Sequence, residues 1–101
     1  MASLALSEIE MALKGLPDWS YEDNQLKRCL VFHSYPTAIS FITRISFEAE
    51  AMNHHPIILN DYKEVHLSLT THDESDCVTS RDLVLAEKIQ AIIQAYYSPA
   101  K

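Results

Sequence analysis

The sequence predicts an α+β fold, a two-layer sandwich in which a four-stranded antiparallel sheet carries helices on one face. Three observations predict it. Apolar residues recur at steps of three and four in three stretches, they alternate with polar residues in the stretches between, and short turns join the alternating stretches in pairs. The order reads helix, strand, strand, helix, strand, strand, helix, and hairpin-linked strands favour an antiparallel sheet.

The first helix is short. Ser7-Glu8-Ile9-Glu10 has the Ser-x-x-Glu spacing of a capping box, and Ile9, Leu13 and Leu16 follow at helical intervals until Pro17 ends the segment. Asp23-Asn24 then supplies a turn between Trp19–Glu22 and a strand with Leu26, Arg28, Leu30 and Phe32 on one face. Pro36, at a first helical position, opens the second helix, where Ala38, Phe41, Ile42, Ile45, Ala49 and Met52 trace an apolar stripe. That helix runs to Asn53, because His55 precedes Pro56 and is pushed out of the α region. Ile57–Asn60 and Lys63–Thr71 read as strands around a turn at Asn60-Asp61, with Val65, Leu67 and Leu69 inward and His66, Ser68 and Thr70 outward. Thr79-Ser80-Arg81-Asp82 resembles another cap, opening a third helix with Leu85, Ile89, Ile92, Ile93 and Tyr96. Its apolar band is wide enough to predict a second covering surface, a neighbouring subunit, over Ile92, Ile93 and Tyr96.

Composition narrows the function. The 101 residues, 48% hydrophobic, can fill one core, so residues 1–101 are expected to form a single domain. With 8 Lys+Arg against 14 Asp+Glu and a formal charge of -6, the chain lacks the clustered cations of a nucleic-acid binder. No apolar run approaches the ~20 residues of a membrane span. Glu8 and Glu10 interrupt Leu4–Leu16, unlike a signal peptide, so the protein is expected in the cytoplasm. Cys29 and Cys77, far apart in sequence, read as reduced thiols.

The chemistry concentrates in Glu50-Ala51-Met52-Asn53-His54-His55-Pro56, with His72 and Asp82 further on. Glu50 and His54, four apart, can meet on one helix face, where the carboxylate would orient the imidazole. His54 and His55 point different ways, and a third imidazole at a strand end completes a set that could surround one ligand edge with proton donors and acceptors. The plainer reading is that His54 only interacts with the helix dipole, worth ~0.3–1 kcal/mol. A zinc site is weaker, since His54-His55 lacks helical ligand spacing and Cys77 with His72 forms no CxxC-like pair. Cys77 and His72 as nucleophile and base is weaker still. Tyr62 reads as a packing residue, and His33 and His66 as surface histidines without a partner pattern.

Glu50, His54-His55-Pro56, Tyr62, His72 and Asp82, with Trp19, the Leu26-x-Arg28-x-Leu30-x-Phe32 strand and Thr79, resemble the signature of the pterin-4a-carbinolamine dehydratases, over roughly residues 16 to 95. The resemblance implies a cytoplasmic enzyme that dehydrates 4a-hydroxytetrahydropterin to quinonoid dihydropterin, after an aromatic amino-acid hydroxylase has used its pterin. It implies no metal and no bound cofactor, and a homodimer or homotetramer. By position it makes His54, His55 and His72 the catalytic imidazoles, with Glu50 and Asp82 in support and Pro56 and Thr71, His72, Asp73 and Glu74 lining the pterin site. Two departures stand out: the loop 73–78 has no glycine and is one residue longer than usual, and Ile58 replaces an aromatic found in some members. The alternative is a non-catalytic binding protein, a dimerisation partner of a transcription factor or an assembly factor for pterin-cofactor or carboxylase systems. The intact histidine set favours the enzyme.

Overall fold

The computed structural model describes residues 3–72 and 75–97. It contains, in order, α1 (Leu6–Leu13), β1 (Ser20–Glu22), β2 (Gln25–Val31), α2 (Tyr35–Met52), β3 (Ile57–Asp61), β4 (Glu64–Leu69) and α3 (Ser80–Tyr96). The expected α+β architecture is present: one antiparallel sheet of four strands in the order β1-β2-β4-β3. Pairing β2 with β4 puts the two most regular strands at the centre, with Leu26 opposite Leu69 and Leu30 opposite Val65. These residues are fully buried under Ala38, Phe41 and Ile45 of α2 and Leu85, Ala86 and Ile89 of α3. Burial of each large aliphatic side chain contributes ~1.5–3 kcal/mol, which makes this layer the main source of stability. Phe32 and Phe41 pack with their rings tilted by 38° and centroids 5.1 Å apart, and Tyr97 meets both edge-on. Trp19 is buried with its indole N–H donating to Gln90 Oε1 at 3.1 Å, which ties the first hairpin to α3.

Several local expectations shift. Helix α1 begins at Leu6, not Ser7: Ala5 is the N-cap, and Glu8 reaches back to accept from the Ala5 N–H at 2.9 Å. Ala5 has no side-chain acceptor, so only this half of a capping box exists. Ser34 caps α2 by accepting from the Thr37 N–H, and Pro36 follows Tyr35 as the second helical residue. The first hairpin turns at Asp23-Asn24 as expected, both with positive φ, the geometry that matches strand twist. The second turns at Tyr62-Lys63 rather than Asn60-Asp61, because Asp61 still pairs with Glu64. The Asn60 side-chain amide instead donates to the Tyr62 and Glu64 carbonyls and braces the turn from within the strand. Thr70 is buried, not outward: β4 ends at Leu69, and the Thr70 hydroxyl donates to the Asn24 carbonyl.

Ile92 and Ile93 are buried within the chain itself, at 5% and 3% exposure, so they do not form the uncovered band expected of α3. Of the band expected on α3 only Tyr96 is exposed, and other exposed apolar side chains lie at Phe47 on α2 and Ile57 and Leu59 on β3. No helix among the described residues is long and apolar enough to cross a membrane.

Candidate active site

The end of α2 sets the site. Asn53 adopts a left-handed conformation, its N–H donates to the Glu50 carbonyl and the His54 N–H to the Ala49 carbonyl, so the last turn closes and the chain reverses. Residues 54 and 55 therefore leave helical register. His54 swings inward and is buried, while His55 stays exposed. This overturns the expected Glu50 and His54 pair: Glu50 meets the His55 Nε2 at 2.8 Å, and His54 Nε2 meets Asp82 Oδ1 at 2.5 Å.

Asp82 is fully buried and reached only because α3 starts where it does. Thr79 caps α3, accepting from the Arg81 N–H, while Asp82 at the third helical position accepts from the Thr79 N–H at 2.9 Å. The same carboxylate oxygen accepts from the Thr71 hydroxyl at 2.8 Å, and Thr71 and Thr79 hydroxyls lie 2.8 Å apart. The cap of α3 thus serves as the anchor of His54. Thr71 is held from below by an isolated bridge to Cys77. Beyond it, exposed His72 directs Nδ1 to Asp76 Oδ1 at 2.6 Å, and Ser75 and Asp76 both have positive φ without being glycine. Asp73 and Glu74 lie outside the described residues.

His54, His55, Thr71 and His72 are brought together around a cleft of about 170 Å³, with Asn53, Thr70 and Arg81. Glu50 and Pro56 lie beside it, in an apolar hollow of about 340 Å³ that includes Phe47 and Ile58. His55 borders both spaces. Each of the three imidazoles has one nitrogen on a carboxylate: His54 on Asp82, His55 on Glu50, His72 on Asp76. An ionised carboxylate only accepts, so the facing nitrogen carries a proton and, in the neutral ring, the other nitrogen is an acceptor. The arrangement can give and take protons along one edge of a ligand.

Sequence reasoning missed Arg81 and Asn53, which line the cleft, and Asp76, which holds His72. Arg81 donates to the Asn53 carbonyl at 2.8 Å and so joins the start of α3 to the end of α2. The capping pattern around Asp82 was a usable signal for Arg81; Asp76 sits in a loop whose path the sequence did not reveal. Tyr62 is not at the site. It occupies the turn at the opposite end of β4 from His72, where its ring faces Tyr35 and the Lys63 ammonium.

Comparison with known proteins gives this geometry a family. A family model described as pterin 4 alpha carbinolamine dehydratase matches residues 2–92. A relative from Chloroflexus aurantiacus, provisionally named pterin-4-alpha-carbinolamine dehydratase, is 42% identical over 93 residues, covering 92% of this chain and 99% of its own. A crystal structure from Brucella melitensis, described as a transcriptional coactivator/pterin dehydratase, superposes with a TM-score of 0.84 at 34% identity, covering 89% of this chain and 97% of that one. A pterin dehydratase-like protein described as a RuBisCO assembly factor in the alpha-carboxysome shares the fold, with a TM-score of 0.61 at 18% identity over 79% of this chain and 89% of its own. The family model spans nearly all of the chain and the relatives match it almost end to end: the chain belongs to the pterin-4-alpha-carbinolamine dehydratase family.

Proposed function

We propose that the protein dehydrates 4a-hydroxytetrahydropterin to quinonoid dihydropterin and water, using histidine side chains as general acid and base. The observation that carries this reading is the set of three imidazoles, each on its own carboxylate, around one cleft in a chain of this family. In the reaction the C4a–O bond breaks as the hydroxyl takes up a proton and leaves as water, while the adjacent ring nitrogen gives up its proton to a base. One proton is delivered and one removed, so groups that titrate near neutrality suit both tasks. His54, His55 and His72 are the proton-transfer groups, and Thr71, Arg81 and the Asn53 turn border the ring. Asp82, fully buried and not among the residues that line the cleft, acts as a positioning residue through His54 rather than binding the substrate itself. Glu50 and Pro56 bear on the substrate from the His55 side, and Asp73 and Glu74 belong to the same proposal as substrate-binding residues.

Recycling of the pterin after aromatic hydroxylation, in the cytoplasm, is the setting this reaction implies. A homodimer or homotetramer belongs to the same proposal and is supported by exposed Phe47, Leu59 and Tyr96. A binding role alongside catalysis is favoured only by the coactivator description of the Brucella relative. Stopped-flow decay of 4a-hydroxytetrahydropterin tests the proposal: acceleration by the wild-type protein is expected, and decay at the protein-free rate would leave the binding role alone.

A further inference from the structure

The outer face of the sheet, exposed at Cys29, Val31, Glu64 and His66, carries a second constellation. Cys29 and His66 are direct partners across the two central strands, and Glu64 lies two residues before His66, on the same face by the period of the strand. A sulfur, an imidazole nitrogen and a carboxylate oxygen therefore converge: His66 Nε2 is 3.1 Å from Glu64 Oε1 and 4.0 Å from Cys29 Sγ, and all three donor atoms lie within 4.8 Å of one another. Among the described residues no other group of at least three such side chains does this. The expectation that His66 has no partner is thus corrected.

A tetrahedral Zn²⁺ with Zn–S of ~2.3 Å and Zn–N and Zn–O of ~2.0–2.2 Å has ligand-to-ligand edges of ~3.3–3.6 Å. The two measured edges bracket that range. Small rotations of exposed side chains bring them onto it, while the β2 and β4 ladder fixes their Cα positions. A mixed set of one thiolate, one imidazole and one carboxylate suits a borderline-soft divalent ion, not Mg²⁺ or Ca²⁺, which prefer all-oxygen cages.

We propose that Cys29, Glu64 and His66 form a Zn²⁺ site on the outer face of the sheet, separate from the histidine cleft. His66 lies within β4 on the face opposite the buried core residues Val65 and Leu67, whereas His72 follows the end of that strand and borders the histidine cleft. Three protein ligands leave the fourth position open to water. Cys29 and His66 also border a cleft of about 420 Å³ that includes Ser20, Lys27, Arg28 and Ser68, so the open position has room for a small ligand. Binding replaces the thiol proton by the metal, and the proton goes to solvent.

The test is titration of metal-free, reduced protein with Co²⁺ as a spectroscopic stand-in for Zn²⁺. Expected is a sulfur-to-cobalt charge-transfer band that saturates at one equivalent and is displaced by Zn²⁺. It should be abolished in Cys29→Ser and retained in Cys77→Ser. His66→Ala and Glu64→Gln should weaken binding by at least the ~10–100-fold that loss of a supporting residue costs. Dehydratase turnover of Cys29→Ser should equal that of wild type. Zn²⁺ should also slow alkylation of Cys29, but not of Cys77, in the unaltered chain, a readout that does not depend on any variant folding. Absence of the band in wild type, its survival in Cys29→Ser, or equal alkylation of Cys29 with and without Zn²⁺ would overturn the site.

Discussion

Replacing Asp82 by Asn separates the structural from the chemical contribution of the buried carboxylate. Asp82 accepts three hydrogen bonds, from His54 Nε2, the Thr71 hydroxyl and the Thr79 N–H, and is fully buried. Hydrogen bonds to a charged group contribute ~1.5–3 kcal/mol and neutral ones ~0.5–1.5, so making all three neutral costs about 3–4 kcal/mol. Relief of the carboxylate's desolvation offsets part of this, which leaves a net loss of ~1–3 kcal/mol. Asp82→Ala should lose more, since it strands three donors at ~1–3 kcal/mol apiece. The chemical effect is distinct. If the Asn oxygen keeps Thr71 and Thr79, its NH₂ faces His54 Nε2, which must then accept, and the ring proton moves to Nδ1. The nitrogen available to a ligand changes from acceptor to donor, and turnover should fall by ~10²–10⁴-fold, the contribution of one proton-transfer group. Urea unfolding measures the first effect and stopped-flow turnover of 4a-hydroxytetrahydropterin the second. Turnover within twofold of wild type in folded Asp82→Asn protein would refute the tautomer argument, and wild-type stability in Asp82→Ala would refute the network.

His54→Ala should lower turnover by ~10²–10⁴-fold and also destabilise by ~1–3 kcal/mol, because it leaves Asp82 Oδ1 buried without its partner; the helix-dipole value of ~0.3–1 kcal/mol expected from sequence is too small for a buried pair. His72→Ala should match it in turnover with little loss of stability, since His72 is exposed, and the double variant should approach the uncatalysed rate, with His33→Ala as the unaffected control; urea curves and turnover of the same samples decide. Exhaustive chelation should leave dehydratase turnover unchanged even if it strips metal from Cys29, so activity lost with EDTA and restored by Zn²⁺ would contradict the metal-free mechanism. Light scattering should give a dimer or tetramer at micromolar concentration, and a monomer would remove the support drawn from Phe47, Leu59 and Tyr96.

The fold was legible because its signals are periodic. The stripe from Ala38 to Met52, the alternation Val65, Leu67, Leu69 and the Thr79 to Asp82 cap each depend on residues close in sequence, and each forms as read. What shifted was decided by single residues. Whether a turn falls at Asn60-Asp61 or Tyr62-Lys63 depends on pairing across β3 and β4, and a Tyr with positive φ is not what turn chemistry favours. The site was legible as a list and not as a wiring diagram. Spacing of four suggested Glu50 with His54, but the left-handed Asn53 breaks the helical register one residue too soon, and the partner comes instead from a helix 28 positions away. The buried state of Ile92 and Ile93 was likewise invisible in α3 alone, because α3 packs against α2, a helix distant in sequence.

The chain has one glycine, Gly15, yet among the described residues six others hold positive φ: Asp23, Asn24, Asn53, Tyr62, Ser75 and Asp76. Asn and Asp tolerate that region; Tyr62 and Ser75 sit there at a cost of ~1–2 kcal/mol each. These six positions are thus held by residues whose Cβ also restricts the unfolded chain, and a glycine in the same place would give the denatured ensemble ~0.4–1 kcal/mol more freedom to lose. The two contributions oppose each other at similar size. The molecule therefore trades ease in the native state for a narrower set of unfolded conformations, and its stability has an entropic component, at Tyr62 and at the loop that carries Asp76, that no inventory of native contacts contains.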